Sequence, residues 1–309
     1  MKGPIAIFGS GGFVGSHLAK YLLKQRKDII AFSHDPQKAW RLKEMCIPSK
    51  NISRCDLTNL KQVTFVLKKY QPKTIFNLAA YGAYSWEQDI EKIYDVNFTS
   101  TVNLIETLKK ASFSLYVHAG SQSEYGLNAA GPTEKGELIP NSHYAVSKTG
   151  VSHLITFYGK VMKLPVIHLR LYSVYGPLEE KGRLVPTLMS SVKKGALPPF
   201  VDSKISRDFI YIDDVIDAFL TVTEKVKKKH YGETFNIATG KKTTMEELAY
   251  LAKKLFNITS SPRFNSIQKR DWDVTDWYGN PAKMKREFGW KSQVSLKEGL
   301  LKTFSNTEG

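Results

Sequence analysis

Residues 5–15 read IAIFGSGGFVG: four apolar residues, a glycine-rich turn, and the start of a pattern with helical spacing. The three glycines at positions 9, 12 and 15 each have a separate use in a strand–turn–helix unit. Gly9 permits the tight turn, Gly12 lets backbone amides approach a pyrophosphate, and Gly15 lets the helix pack against the strand. The N-terminus of the helix adds unpaired N–H groups and a partial positive charge. The stretch therefore predicts the first unit of a dinucleotide-binding fold.

The same alternation of elements continues beyond this unit. Five further apolar stretches are predicted to be strands: residues 29–32, 51–55, 74–78, 115–119 and 166–171. Patterns with helical spacing lie between them, at residues 15–23, 59–69, 87–110 and 144–161. Strands that alternate with helices are typical of a parallel sheet covered on both faces. We therefore predict an α/β protein with a Rossmann-type, doubly wound parallel sheet.

The last third of the chain has a different character. Prolines are closely spaced there, apolar runs are short, and helical patterns are confined to residues 244–256 and 281–288. We predict a smaller mixed α/β lobe laid over the sheet. The predicted division is residues 1–165 for the Rossmann-type lobe and residues 166–309 for the C-terminal lobe, with the chain crossing back into the first lobe.

The composition is that of an ordinary globular protein. Of its 309 residues 42% are hydrophobic and 24% charged, which suits a sizeable core. No apolar run approaches the roughly 20 residues that a membrane span needs. The two cysteines, Cys46 and Cys55, are not in metal-ligand spacing, and we expect both to be buried thiols of a reducing compartment. These features predict a cytoplasmic protein with no membrane segment and no metal site.

The net charge is 45 − 29 = +16. Such a charge suits nucleic-acid binding, attraction of an anionic metabolite, or a surface rich in solvated lysines. Because the basic residues are scattered along the chain, the solvated surface is favoured, and nucleic acid is not expected as a partner.

The end of the second predicted strand bears on the type of dinucleotide. An Asp or Glu normally stands there and binds the adenosine ribose of NAD. Here Ser33 and His34 occupy the place, and Asp35 comes two positions late. A serine does not repel a 2′-phosphate, and Lys38 and Arg41 follow closely, so NADP is slightly favoured. NAD stays open, because Asp35 would still reach the ribose if the loop is tight.

Asp56 and Leu57 end the third predicted strand. Side chains at this place in a dinucleotide-binding sheet are able to meet the edge of the adenine. Asp56 would equally well cap the following helix, and both interpretations stay open.

Tyr144 and Lys148 stand four residues apart, which places a phenol and an ammonium on one face of a helix. A nearby ammonium favours phenolate and lowers the pKa of a tyrosine from its usual value of about 10. Such a tyrosine takes a proton from a hydroxyl while hydride leaves the same carbon. By itself such a pair occurs often by chance and is more often a surface pair. Its place after five strands of the pattern favours catalysis.

A third partner is expected at the end of the fifth strand. Ser121 is the better candidate for a hydrogen bond to the reacting oxygen, and Ser123 is second. An ordinary polar turn is the alternative.

Further stretches, in order along the chain, carry a resemblance to one family. They are residues 77–80, Asn97, and residues 141–144, 170–177, 207–214 and 288–300. With the glycine turn they make the chain resemble an extended short-chain dehydrogenase/reductase of the nucleotide-sugar epimerase/dehydratase/reductase family, over nearly its whole length.

The resemblance implies that the Rossmann-type lobe holds NAD(P) and that the C-terminal lobe binds a nucleoside diphosphate sugar. Ser121, Tyr144 and Lys148 take the catalytic roles. The implied cofactor-binding residues, besides Tyr144 and Lys148, are Gly9, Gly12, Phe13, Val14, Gly15, Ser33, His34, Asp56, Leu57, Ala79, Ala80 and Asn97. The implied substrate-binding residues are Tyr84, Ser123, Tyr172, Arg207 and Arg270. The resemblance also implies a homodimer, formed through the helices near residues 87–110 and 144–161.

Two kinds of alternative apply to the substrate-binding residues. Guanidinium groups pair bidentately with phosphate, which suits Arg207 and Arg270, although either would also serve in a surface salt bridge. The rings of Tyr84 and Trp86 would stack on a hexose face or simply pack within their loop, and both possibilities stay open.

Two activities of the family are disfavoured by residue type. Its dehydratases follow the catalytic residue with an Asp-Glu or Ser-Glu pair, and here Gln122 and Ser123 stand there, so Glu124 would serve only if the loop shifts by one residue. Its epimerase-reductases carry a Cys near the serine and a His after the Tyr-Gly-Pro stretch, where this chain has Ser123 and Leu178. An amide, a hydroxyl and an alkyl group do not supply the acid and base that either reaction needs.

The sequence is thus interpreted as an NAD(P)-dependent enzyme that transfers a hydride at one carbon of a nucleoside diphosphate sugar, C4 by resemblance. One form is a ketoreductase or dehydrogenase that exchanges its cofactor. The alternative is a 4-epimerase that retains NAD. A more remote alternative is a catalytically silent member that binds RNA or acts as a scaffold.

Overall fold

The computed structural model describes residues 1–267 and 274–306. The strands in this part of the chain are β1 (Ile5–Phe8), β2 (Ile29–Ser33), β3 (Ile52–Arg54), β4 (Thr74–Asn77), β5 (Leu115–Ser121), β6 (Val166–Leu171), β7 (Ser173–Tyr175), β8 (Ser206–Arg207), β9 (Phe209–Tyr211), β10 (Thr234–Ile237) and β11 (Thr243–Thr244). Seven of them form one parallel sheet in the order β10-β6-β5-β4-β1-β2-β3. The predicted α/β class with a doubly wound parallel sheet is therefore confirmed.

The helices of the described residues are α1 (Phe13–Leu23), α2 (Trp40–Glu44), α3 (Leu60–Tyr70), α4 (Ile90–Tyr94), α5 (Ser100–Lys109), α6 (His143–Thr156), α7 (Leu184–Val192), α8 (Ile212–Lys225), α9 (Met245–Leu255), α10 (Ala282–Phe288) and α11 (Leu296–Ser305). The single helix predicted over residues 87–110 is in fact α4 and α5 joined by a π-helical turn, Asp95–Thr99. A second π-helical turn, Phe157–Val161, follows α6. An extra residue in a helix re-aims side chains, and such turns are frequent near functional sites.

The central strand β1 shows why both faces of the sheet need helices. All four of its residues are buried, with β2 and β4 paired on either side. Ile5 and Ile7 belong to a core with α1 and α8, whereas Ala6 and Phe8 belong to a second core with α3, α5 and α6. Because successive side chains of a strand point to opposite faces, an unbroken apolar run is what a doubly covered strand requires.

The six predicted strands are all present, with ends shifted by up to two residues. The seventh strand of the sheet, β10, was not predicted. It pairs with β6 at the edge of the sheet, so residues after 165 contribute two strands to it. The division of the chain into two lobes at residue 165 stays a prediction.

Two buried carboxylates tie segments of the C-terminal third to one another. Asp208 accepts hydrogen bonds from the backbone N–H groups of Thr239, Gly240 and Gly279. Asp214, in the first turn of α8, accepts from the N–H groups of residues 293 and 294. Each carboxylate thus fixes a segment distant in sequence through charge-assisted hydrogen bonds.

The cysteine prediction was half right. Cys55 is buried, and burial raises the pKa of its thiol to about 12, but Cys46 is exposed in the turn that follows α2. Its backbone has a φ of 51° and the residue leaves the core there. Among residues 1–267 and 274–306, no helix is both long and apolar enough to span a membrane.

Candidate active site

A cleft of about 1620 Å³ runs along the carboxyl ends of the strands, between the sheet and the C-terminal third of the chain. Strand order reverses at β1, which has β2 on one side and β4 on the other, and ligands of open α/β sheets bind at such a point. The glycine turn lines the cleft, as do Arg207 and Trp277 from the C-terminal third. The volume exceeds that of a pocket for a single drug-sized ligand, so it is suited to two ligands side by side.

The glycine turn has the geometry that its sequence predicted. Gly9 has a φ of 78°, and a Cβ there would lie 2.5 Å from the backbone nitrogen of Ala79. A Cβ at Gly15 would collide with the carbonyl oxygen of Gly9, so only glycine lets α1 start so close to β1. Gly12, Phe13 and Val14 line the cleft where α1 begins. The unpaired N–H groups of this first turn form an anion site of the kind that holds a pyrophosphate.

The end of β2 gives less support to NADP than the sequence did. Ser33 is buried and His34 exposed, and both line the cleft. Arg41 is buried, and its guanidinium donates to the carbonyl oxygen of Leu178 at 2.7 Å and to Glu180 at 2.7 Å. The Arg41 guanidinium thus already has two partners, and the expected preference for NADP gains no support from it.

Two of the implied cofactor residues lie at the end of β3. Leu57 is buried and Asp56 half-buried, and both line the cleft. Asp56 accepts hydrogen bonds from the N–H and the hydroxyl of Thr58, whereas the cap of α3 is Asn59. The alternative in which Asp56 caps the helix is therefore wrong, and its role toward the adenine stays a prediction.

Ala79 and Ala80 line the cleft directly after β4, as the resemblance implied, but Asn97 takes a different place. Asn97 is fully buried in the π-helical turn after α4. Its amide accepts from Tyr81 N–H at 2.9 Å and donates to Tyr81 O at 2.8 Å and to Ser147 Oγ at 2.9 Å. Because these bonds use both N–H donors of the amide, Asn97 holds the loop after β4 against α6, and it does not line the cleft.

The three predicted catalytic side chains meet in this cleft. Ser121 ends β5, and Tyr144 and Lys148 come from the first turns of α6, whose N-cap is Ser142. The Ser121 hydroxyl donates to Ser123 Oγ at 3.1 Å and lies close enough to Tyr144 to lower the pKa of its phenol. Lys148 is buried and donates to the carbonyl oxygen of Ala119 at 3.0 Å.

The electrostatics of this group differ from the sequence expectation. Burial raises the pKa of Tyr144 to about 12, and the hydrogen bond from Ser121 only partly offsets this. Burial also lowers the pKa of Lys148 to about 8, against the pull of the Glu124 charge. The ammonium lies 6.0 Å from the centre of the Tyr144 ring. In this structure burial outweighs the Ser121 hydroxyl and the Arg183 charge, which lower the pKa of Tyr144, so the phenol is protonated at neutral pH.

Glu124 lies directly beneath Ser121, and the sequence analysis missed this. It is fully buried and accepts from Ser121 N–H at 2.8 Å, from His168 Nε2 at 2.8 Å and from Arg170 Nε at 2.5 Å. Burial raises the pKa of Glu124, but the charges and hydrogen bonds of His168 and Arg170 outweigh it and bring the pKa down to about 2. The Ser-x-x-Glu spacing of a capping box was the available sequence signal.

The residues implied to bind substrate lie around the same cleft, as far as they are described. Tyr84, Ser123, Tyr172 and Arg207 all line it. The Arg207 guanidinium lies 4.9 Å from the centre of the Trp277 ring and donates to the carbonyl oxygen of Ser206. Arg270 lies outside the described residues, so its role stays a prediction.

The aromatic loop after β4 forms part of the cleft wall. Tyr84 stacks on Trp86 with ring centroids 4.8 Å apart, and Arg183 lies 5.8 Å from the Tyr84 ring. Trp86 is 57% exposed. Glu179, which the sequence analysis missed, is buried beside Arg183, and burial raises the pKa of its carboxyl to about 7. The only sequence signal for Glu179 was that it directly follows Leu178, the position at which the family's epimerase-reductases carry a His.

Comparison with known proteins shows the family to which the chain belongs. The family model described as "NAD dependent epimerase/dehydratase family" matches residues 5–238, so the chain belongs to this family. It is 26% identical to a UDP-glucuronate 4-epimerase from Thermodesulfobacterium geofontis, covering 97% of this chain and 95% of the other.

Two further relatives complete the comparison. A crystal structure of dTDP-glucose 4,6-dehydratase from Bacillus anthracis with NAD is 26% identical, with a TM-score of 0.84 over 98% of this chain and 96% of that one. A trifunctional UDP-glucose 4,6-dehydratase, 3,5-epimerase and reductase from Arabidopsis thaliana is 26% identical over 97% of this chain. The chain spans only 46% of the length of that protein.

The buried histidines beneath the site make stability depend on pH. His118 stacks on His168 and is hydrogen-bonded to Tyr116, and burial, the Lys148 charge and His168 hold its pKa well below 6.5. A histidine whose pKa is lowered by folding stabilises fully above its unfolded pKa, and this contribution is lost as the pH falls. We expect the free energy of unfolding to decline below about pH 6.5, by up to about 1.4 kcal/mol per pH unit for each such proton.

The measurement is thermal unfolding of the wild type and His118→Asn between about pH 7.5 and pH 5. The variant should lose less of its melting temperature than the wild type, because one proton-binding group of the unfolded chain is gone. His153→Asn, at an exposed position on α6, is the control. Parallel curves for the wild type and His118→Asn would show that His118 is not the group responsible.

Proposed function

We propose that this protein transfers a hydride between C4 of a nucleoside diphosphate sugar and a nicotinamide dinucleotide. The observation that carries the proposal is the meeting of Ser121, Tyr144 and Lys148 in a cleft that the glycine turn also lines. The Thermodesulfobacterium relative, a UDP-glucuronate 4-epimerase, supports the C4 position and the sugar nucleotide. A nucleic-acid-binding or scaffold role has no need of this assembled group.

The residues at the glycine turn suit a dinucleotide. The first turn of α1 opens onto the cleft without an acidic residue, and glycines at 11 and 12 keep side chains out of the approach. The bound dinucleotide would supply the hydride acceptor or donor. Residues Gly12, Phe13 and Val14 would hold its pyrophosphate, and Lys148 its nicotinamide-side ribose.

Tyr144 moves the proton in this proposal. In oxidation it takes the proton from the C4 hydroxyl as hydride leaves the same carbon, and in reduction it returns the proton. Ser121 donates a hydrogen bond to the reacting oxygen and orients it. The positive charge of a bound nicotinamide ring next to Tyr144 would lower its pKa of about 12 toward neutral pH.

Loss of water from the sugar is disfavoured by the loop beneath the substrate. Both oxygens of Glu124 are bound to buried partners, so it is not placed to serve as an acid or base. Gln122 contacts Ser173 Oγ, and Ser123 has only a hydroxyl. With dehydration disfavoured, the reaction at C4 that we propose first is that of a ketoreductase or dehydrogenase. The second candidate is a 4-epimerase, and the activity of the Thermodesulfobacterium relative favours it.

We expect the wild type to convert at least one sugar nucleotide in a panel of UDP-glucose, UDP-glucuronate and dTDP-glucose, with and without added NAD(H) or NADP(H). Nuclear magnetic resonance of the products distinguishes inversion at C4 from net reduction and from dehydration. Tyr144→Phe should lower kcat by about 10²- to 10⁴-fold with little change in cofactor affinity, because only the proton-transfer group is removed.

Tyr250→Phe, at an exposed position on α9, is the matched control and should leave kcat unchanged. Near-normal turnover in Tyr144→Phe would refute the assigned role. A dehydrated product from the wild type would refute the reaction type.

For the cofactor we propose NAD, although the sequence leaned slightly toward NADP. The Bacillus anthracis relative binds NAD, and Arg41 is occupied by Glu180. Asp35 sits at the cleft with its carboxylate held by the N–H groups of residues 37 and 38. A carboxylate there accepts from ribose hydroxyls and repels a 2′-phosphate.

Fluorescence titration should give a Kd for NADH at least about 10-fold below that for NADPH, a difference of about 1.4 kcal/mol. Asp35→Asn should narrow this ratio because the repelling charge is gone. Glu44→Gln removes one negative charge at an exposed position at the end of α2, and it should leave the ratio of the two Kd values unchanged. Tighter binding of NADPH by the wild type would contradict the proposal.

We also propose a homodimer, with the exposed apolar surface of α6 and its π-helical turn at the interface. Val146, Phe157 and Val161 are exposed by 43%, 47% and 68%. Apolar side chains that recur along one helix favour contact with a second copy over contact with water.

The two cysteines suit a cytoplasmic location, which stays a prediction.

Light scattering coupled to gel filtration should give about twice the monomer mass for the wild type. Phe157→Glu should give the monomer mass with an unchanged circular dichroism spectrum, because a buried charge opposes the contact. A monomeric wild type at micromolar concentration would exclude this interface.

A further inference from the structure

We propose that Glu124 is a positioning residue of the active site, which holds the catalytic serine through its backbone and sets the charge around Tyr144 and Lys148. The proposal rests on the proposed function, in which Ser121 contacts the reacting oxygen. Glu124 itself would contact neither the dinucleotide nor the sugar nucleotide, because it is buried beneath the loop of residues 121–124.

The first argument is the geometry of the loop. One oxygen of Glu124 accepts from Ser121 N–H at 2.8 Å, while Ser121 Oγ accepts from Ser123 N–H at 3.1 Å. These two bonds close a reciprocal cap around residues 121–124. The N–H and the Oγ of Ser121 are therefore both held by hydrogen bonds. This determines where the Oγ lies relative to Tyr144.

The second argument is that the carboxylate cannot move. His168 Nε2 donates to the same oxygen as Ser121 N–H, and Arg170 Nε donates to the other at 2.5 Å. Arg170 is held in turn by Ser152 Oγ at 2.9 Å and by the Tyr125 ring at 4.5 Å. A fully buried carboxylate persists in the charged form only with such partners.

The close fit at Gly120 supports the same point. A Cβ there would lie 2.5 Å from Glu124 Oε1 and would collide with the ring of His168. The residue before the catalytic serine therefore packs directly on the ion pair. Any displacement of the carboxylate is passed to Ser121 across one peptide unit.

The third argument is electrostatic. The Glu124 charge raises the pKa of both Tyr144 and Lys148. The other groups that act on Tyr144 are the Ser121 hydroxyl, Arg183 and Tyr84 from the opposite wall. Beneath the site, the pKa values of His118 and His168 are lowered by burial, so both rings are neutral near pH 7 and leave Glu124 and Arg170 as the charged pair.

The test is a double-mutant cycle on the sugar nucleotide that the wild type converts best. Glu124→Gln should lower kcat by about 10- to 100-fold with little change in KM, because misplacement of a reacting group by about 1 Å has an effect of that order. In a Ser121→Ala background the same change should lower kcat by less than about 3-fold, because the group it positions is absent. Equal factors in both backgrounds would overturn the proposal.

The pH profile separates charge from position. Glu124→Gln removes a negative charge, so the acidic limb of the oxidation rate should move to lower pH, by about one unit. Glu124→Asp keeps the charge, so its limb should stay in place while kcat falls, because the shorter side chain withdraws from Ser121 N–H. Glu124→Asp also tests the proposal if the Glu124→Gln variant fails to fold. An Asp variant with normal kcat would overturn the positioning role.

Asp214→Asn is the matched control, because Asp214 is also a buried carboxylate that accepts two backbone N–H bonds, and it does not line the cleft. It should lower the melting temperature and leave kcat and the pH profile unchanged. If Asp214→Asn lowered kcat as much as Glu124→Gln does, the effect of Glu124 would be a general effect on the structure, and the positioning role would be contradicted.

Failure of the proposed function is distinguished by a measurement without turnover. In protein labelled with ¹³C at tyrosine Cζ, Tyr144→Phe assigns the Tyr144 signal. Glu124→Gln and Glu124→Asp should shift this signal, because the hydrogen bond from Ser121 changes, and Asp214→Asn should not. If the wild type converts no sugar nucleotide, the function fails alone. An unmoved signal in both Glu124 variants would refute the positioning role.

Discussion

The reversal of strand order at β1 is the constraint on which the rest of the molecule depends. Because β2 and β4 lie on opposite sides of β1, the chain leaves the sheet in two directions and a cleft opens at the carboxyl ends. The glycine turn, the loop after β4 and the serine at the end of β5 all come from those ends. Their meeting is a consequence of parallel pairing, since every strand of a parallel sheet ends at the same edge.

Buried carboxylates do similar work at three places in this fold. Asp208 and Asp214 accept backbone N–H groups from segments outside the helices and strands, and Glu124 accepts the N–H of Ser121 where β5 ends and its loop begins. A buried charge is costly unless it is fully hydrogen-bonded, so each of these groups requires one arrangement of the loop it holds. In this way the protein obtains rigid loops around a wide cleft.

The catalytic group shows how tertiary structure changes the properties of residues that the sequence brings together. The spacing of Tyr144 and Lys148 predicted a tyrosine whose pKa is lowered by the ammonium. In the folded chain burial acts on both residues, and it raises the pKa of the tyrosine and lowers that of the lysine. Burial is a property of the surrounding elements, so no local pattern reports it.

The sequence by itself determined six of the seven strands of the sheet, the glycine turn and the three side chains that meet in the cleft, because periodicity and the conformational needs of glycine are local. It did not reveal β10, the burial of Asn97 behind the cleft, the pairing of Arg41 with Glu180, or the place of Glu124 beneath Ser121. Those depend on partners between 3 and 139 residues away in the chain. Only the tertiary structure decides which of many possible polar partners a buried group meets, and with it the charge that the group carries.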